Sequence, residues 1–81
     1  MLTRAKIKQN NFNKFNDLNF SVDRRTLNGK HNDFPDINFN VENGFLHLNG
    51  LEQEKVIDFY NIDEFDNLCS LIQNKIKQWY Y

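Results

Sequence analysis

Ile37-Asn38-Phe39-Asn40-Val41-Glu42-Asn43-Gly44-Phe45-Leu46-His47-Leu48 is the stretch that decides the fold. Apolar and polar residues alternate from Ile37 to Val41, which is the two-residue period of a half-buried strand. Asn43-Gly44 is a favoured pair for a two-residue turn, because both central residues there take positive φ. With that turn Val41 pairs with Leu46 and Phe39 with Leu48, and directly opposed residues share a face. Ile37, Phe39, Val41, Leu46 and Leu48 then fall on one side. A slip of one residue would turn every side chain to the other face, so turn chemistry and hydrophobic pattern specify the same register.

Downstream, Val56-Ile57-Asp58-Phe59-Tyr60 reads as a third strand leading into a helix. From Ile62, the residues Phe65, Leu68, Cys69, Ile72, Ile76, Trp79 and Tyr80 recur at steps of three and four, one face of a helix. Asn61 suits the N-cap, and Glu64 stands where the reciprocal carboxylate of a capping box belongs. Asp63, Glu64 and Asp66 in the first turns and Lys75 and Lys77 near the end complement the helix dipole.

Upstream the pattern is less decisive. Leu18-Asn19-Phe20-Ser21-Val22 alternates and reads as a fourth strand. The polar stretch from Asp23 to Pro35 allows a long loop or a second hairpin turning at Asn28-Gly29. Between Ala5 and Asn16, Phe12, Phe15 and Leu18 are spaced as in a short helix, while Ala5 and Ile7 alternate as in a strand. The expectation is an α+β fold, one domain over residues 1–81. A small antiparallel sheet of three to four strands is covered on one face by the C-terminal helix, and the N-terminal element is left unassigned.

A chain of 81 residues buries only about 60% of the surface exposed when unfolded. The hydrophobic content of 40% includes eight Phe, three Tyr and one Trp, bulky side chains from which a short chain can build a core. Cys69 is the single cysteine, so no internal disulfide forms, and short secreted domains usually carry several. Met1 to Lys8 has charges with no apolar run behind them, unlike a secretory leader, and no stretch approaches the ~18 apolar residues of a membrane span. These features lead to the expectation of a cytoplasmic protein without a membrane partner. Fourteen Asn and seven Lys against one Ala and three Arg point to AT-rich codons, as in an AT-rich bacterium or a phage or mobile element living in one.

His31, His47 and Cys69 are far apart in sequence, without the short spacings of a structural zinc site. Neither a nucleophile–base pair nor a glycine-rich phosphate loop is present. No cofactor, metal or catalytic residue is expected, and the chain reads as a non-enzyme. Cys69 lies on the apolar helix face, where a free thiol acts as a small apolar residue. His47 alternates with Leu46 and Leu48, on the solvent side.

Charge is distributed unevenly. Residues 1–30 carry a net of +5 and residues 31–70 a net of −8, in a chain whose total is −1. Such asymmetry suggests a charged partner. In one reading Glu52, Glu54, Asp58, Asp63, Glu64 and Asp66 present spaced carboxylates to a basic groove on another protein. In the alternative, Arg4, Lys6, Lys8, Arg24 and Arg25 hold phosphates while Phe12 and Phe15 stack on single-stranded bases. Folding that brings the two poles together would cancel much of either field. In size, residue usage and charge the chain resembles small phage-encoded accessory proteins, the anti-CRISPR proteins among them. That resemblance implies a binder that inhibits a host defence or nucleic-acid-handling protein. Trp79-Tyr80-Tyr81 reads as the end of the buried helix face or as interface residues, with burial of Trp79 the first expectation.

Overall fold

The computed structural model describes residues 2–80, with Tyr80 described by its backbone alone. The element order is α1 (Arg4–Asp17), β1 (Phe20–Asp23), β2 (Asn28–His31), β3 (Asn38–Glu42), β4 (Phe45–Asn49), β5 (Lys55–Asp58) and α2 (Ile62–Tyr80). The strands form one antiparallel sheet in the order of the chain. The α+β class stands, with five strands in place of three to four and two helices in place of one.

The central hairpin has the expected register, Val41 opposite Leu46 and Phe39 opposite Leu48. Asn43 and Gly44 have φ of 54° and 83°, as a type I′ turn requires. Ile37, Phe39, Leu46 and Leu48 are buried, and Val41 packs partly against the same core.

The unassigned N-terminal element is a helix. Thr3 caps it by accepting from the Lys6 N–H at 3.2 Å, and Phe12 and Phe15 are buried beneath it. Leu18, expected to open a strand, closes this helix instead with its N–H on the Lys14 and Phe15 carbonyls. β1 therefore starts at Phe20. A second hairpin does form between β1 and β2, but it turns over residues 24–27, not at Asn28-Gly29. Asp23 Oδ1 accepts from the N–H of Arg25 and of Thr26 and so shapes that turn. Asn28 and Gly29 lie in β2, where a Cβ on Gly29 would stand 2.7 Å from the Phe39 ring. Close approach of a ring, rather than turn geometry, is what calls for glycine there.

The third expected strand is shorter than its apolar pattern. β5 ends at Asp58, and Asp58 Oδ1 accepts from Tyr60 N–H to turn the chain toward α2. Asn61 Oδ1 caps α2 by accepting from Glu64 N–H at 3.1 Å. Glu64 does not return the bond to Asn61; its Oε2 accepts from Asp58 N–H at 3.0 Å and ties the helix to β5.

Both helices lie on one face of the sheet. Phe15 of α1 stacks on Phe39 with ring centroids 4.0 Å apart and meets Phe65 of α2 edge-on at 5.2 Å. Leu68 and Ile72 of α2, Phe20 and Phe59 complete one buried cluster. Buried Asn11 donates from its side chain to the Phe59 carbonyl at 2.8 Å, joining α1 to the segment after β5.

Candidate functional site

The alternation that buries Phe39, Leu46 and Leu48 sends their neighbours to the opposite face, over which neither helix lies. From pairing and burial this outer face carries Ser21, Asn28, Lys30, Asn38 and Asn40 on β1–β3. Across β3–β5 it carries Glu42, Phe45, His47, Val56 and Asp58. The first half is polar, with an open hollow of about 600 Å³. In the second half Phe45 and Val56 are 50% and 52% exposed. His47 lies beside them, with its Nδ1 3.3 Å from Glu54 Oε1. Two exposed apolar side chains on a sheet face, with Glu42, Glu54 and Asp58 around them, suit contact with another macromolecule.

The six carboxylates read as a partner surface are all exposed, but they do not form one face. Glu52 pairs with Lys75 at 2.8 Å and Asp66 pairs with Lys14. Glu54 reaches His47, and Asp58 and Glu64 meet at the junction of β5 with α2. Glu54 and Asp58 thus adjoin the Phe45–Val56 patch, whereas Glu52, Asp63, Glu64 and Asp66 belong to loop and helix. The Lys75 ammonium beside Glu52 holds its carboxyl below the usual carboxylate range. Exposed pairs of this kind contribute little to stability, and they leave the carboxylates within reach of a partner.

The basic set is placed differently from its expectation. Phe12 and Phe15 are 1% and 0% exposed, so neither offers a face on which a base could stack. Arg4 lies over the Tyr60 ring at 4.0 Å, and Arg24 donates to Asn13 and lies 5.6 Å from the Phe12 ring centroid. Lys6 and Lys8 are on α1, and Arg25 is in the β1–β2 turn, where its N–H bonds Asp23.

His31 is buried, and its Nδ1 accepts from the N–H of Asp33 at 3.1 Å and of Phe34 at 3.2 Å. It organises the β2–β3 loop, a role that the sequence pattern did not reveal. Cys69 is partly buried against the core, and burial pushes its thiol up to about 11. Among the described residues no group of three or more His, Cys, Asp or Glu could hold a metal ion, and no helix is long and apolar enough to cross a membrane.

Trp79 departs from expectation, being 45% exposed with its ring edge on Phe34 at 5.3 Å. α2 has 19 residues, about 28 Å of helix at 1.5 Å per residue. A strand of five residues such as β4 spans only about 17 Å, so the last turns of α2 outrun the sheet. Tyr81 and the Tyr80 side chain lie outside the described residues. No protein-family model, curated protein or solved structure matches this chain.

Proposed function

We propose that this chain is a non-enzymatic binding module that engages a protein with a basic surface through the acidic side of its sheet. The observation that carries the reading is the uncovered outer face, where Phe45 and Val56 are about half exposed among Glu42, Glu54 and Asp58. Apolar side chains ringed by carboxylates suit a partner whose apolar contact is framed by Lys and Arg. Electrostatic complementarity of this kind speeds encounter and selects the partner. Residue usage and the net of −8 over residues 31–70 extend the proposal to a phage or mobile-element protein. In that setting it occupies the basic groove of a host defence or nucleic-acid-handling protein and inhibits it.

The test is capture of partners on the immobilised chain from a low-GC bacterial lysate, followed by binding of the purified partner. The reading expects affinity to fall as salt rises and to fall again with Glu54→Lys and Asp58→Lys. Tight, salt-sensitive binding of a single-stranded oligonucleotide, abolished by Arg24→Ala and Arg25→Ala, would overturn it. So would a partner complex whose contacts run through Trp79 with the acids facing solvent.

A further inference from the structure

We infer that the free edge of β5 is a strand-addition site, taking an extended partner segment in which a basic residue stands next to an aliphatic one. This rests on the reading of the chain as a binder of basic proteins and names how the contact is made. β5 lies at one edge of the sheet and, among the described residues, pairs only with β4. Its backbone phase is fixed by Phe59, whose N–H donates to the Gly44 carbonyl at 3.0 Å. Hydrogen-bonded and non-bonded pairs alternate along an antiparallel ladder. Lys55 and Ile57 therefore turn their N–H and C=O groups toward β4, and Val56 and Asp58 turn theirs outward. The bond from Asp58 N–H to Glu64 agrees with that phase, and the Asp58 carbonyl accepts from Asn61 N–H. The edge is closed at Asp58 and open at Val56.

Beside the open part, a cavity of about 250 Å³ lies between β5 and α2, lined by Ile57, Leu68 and Leu71 with Lys55, Asn67 and Glu64. An added strand meets these two features in alternation. Its residue opposite Val56 exchanges two main-chain hydrogen bonds with Val56, and its side chain stands on the outer face. There it lies diagonal to Glu54 and Asp58, a spacing that long side chains bridge, so Lys or Arg fits. The next residue, opposite Ile57, points to the helix side and enters the cavity, so Val, Leu or Ile fits. Main-chain bonds give affinity and alternate side chains give specificity in this mode of recognition. The other sheet edge, β1, ends at Asp23 and runs into Arg24 and Arg25 of the β1–β2 turn, which would repel a basic segment.

The test uses the whole ¹⁵N-labelled chain and a blocked hexapeptide alternating Lys and Val, with affinity and amide exchange as readouts. Strand addition expects the Val56 amide to shift and gain protection on binding. N-methylation of the peptide's Lys amides should weaken binding about tenfold, since it removes donors to β5, whereas N-methylation of its Val amides should not. Val56→Pro should reproduce that loss, because it removes an N–H that β4 does not use and proline is tolerated on edge strands. Equal affinity for both N-methylated peptides, with loss on Glu54→Lys and Asp58→Lys, overturns strand addition and leaves the acidic surface standing. Indifference to the charge reversals as well overturns both. Shifts confined to β1, or self-association through that edge, also overturn the site.

Discussion

At the scale of single residues, side chains near one another in composition take different roles through burial alone. His31 and His47 have the same chemistry, yet one is sealed among Phe20 and Phe34 and the other stands on the outer face beside Glu54. His31 accepts two backbone N–H groups at Nδ1, so its ring proton sits on Nε2. His31→Phe keeps a ring in place and removes the acceptor. Urea unfolding should show a loss of roughly 1–3 kcal/mol, the cost of stranding buried donors. Cys69 gives a pH prediction. Its thiol is held up at about 11 by burial, against an ordinary value of 9.0. The folded state thus keeps its proton longer than the unfolded one, and stability is full below pH 9 and declines as pH rises toward 11. Stability curves of the parent and Cys69→Ala should converge or diverge only in that window, and thiol labelling at pH 8 should be slow. Labelling at the rate of a free thiol would contradict the burial of Cys69.

At the scale of elements, the two helices differ in how they are specified. α2 has a strong apolar stripe and a capping Asn61, and its buried Phe65, Leu68 and Ile72 follow the stripe. Leu68→Ala or Ile72→Ala should each cost roughly 2–5 kcal/mol in thermal or urea melts, a large share of the stability of so small a domain. Melts unchanged by either substitution would place another face of α2 against the sheet. α1 is polar on most of its surface, and three residues, Asn11, Phe12 and Phe15, carry its burial. Such a helix is held by its neighbours more than by its own pattern. The β1–β2 hairpin makes the same point, since Asp23 shapes its turn while Gly29 accommodates the Phe39 ring. Gly29→Ala, though conservative in sequence, should destabilise by roughly 1–3 kcal/mol because Phe39 is fixed against Phe15 and has little room to move.

At the scale of the whole molecule, folding distributes charge in a way that linear counting misses. Lys14 of the basic segment pairs with Asp66 of the acidic one, and Glu52 of the acidic segment pairs with Lys75, which lies beyond both. Part of the opposition between the two segments is thereby consumed internally. Glu54 and Asp58 remain beside exposed Phe45 and Val56, and the binding proposal rests there. Glu54→Lys should leave the melting transition nearly unchanged, within about 0.5 kcal/mol for a solvent-facing substitution. Asp58→Lys also removes the acceptor of the Tyr60 N–H and should cost roughly 0.5–1.5 kcal/mol. Both reversals should weaken partner binding, and weaken it most at low salt, since exposed charges are screened over about 8–10 Å at physiological ionic strength. A comparable unfolding loss in Glu54→Lys alone would instead make that carboxylate structural.

The sequence alone determined the β3–β4 hairpin, its register and α2, because each depends on residues close in the chain: a turn pair, an alternation, a three-and-four spacing. It left α1 undecided because Phe12, Phe15 and Leu18 lie among polar residues and acquire a buried face only when distant residues such as Phe39 and Phe65 pack against them. It misplaced the β1–β2 turn because glycine serves both turns and close contacts, and only the approach of Phe39 distinguishes them. For the candidate surface, the sequence supplied the carboxylates and their number. Tertiary structure alone decided which of them neutralise lysines and which stand beside Phe45 and Val56, since charges far apart in the chain interact through space and not along it.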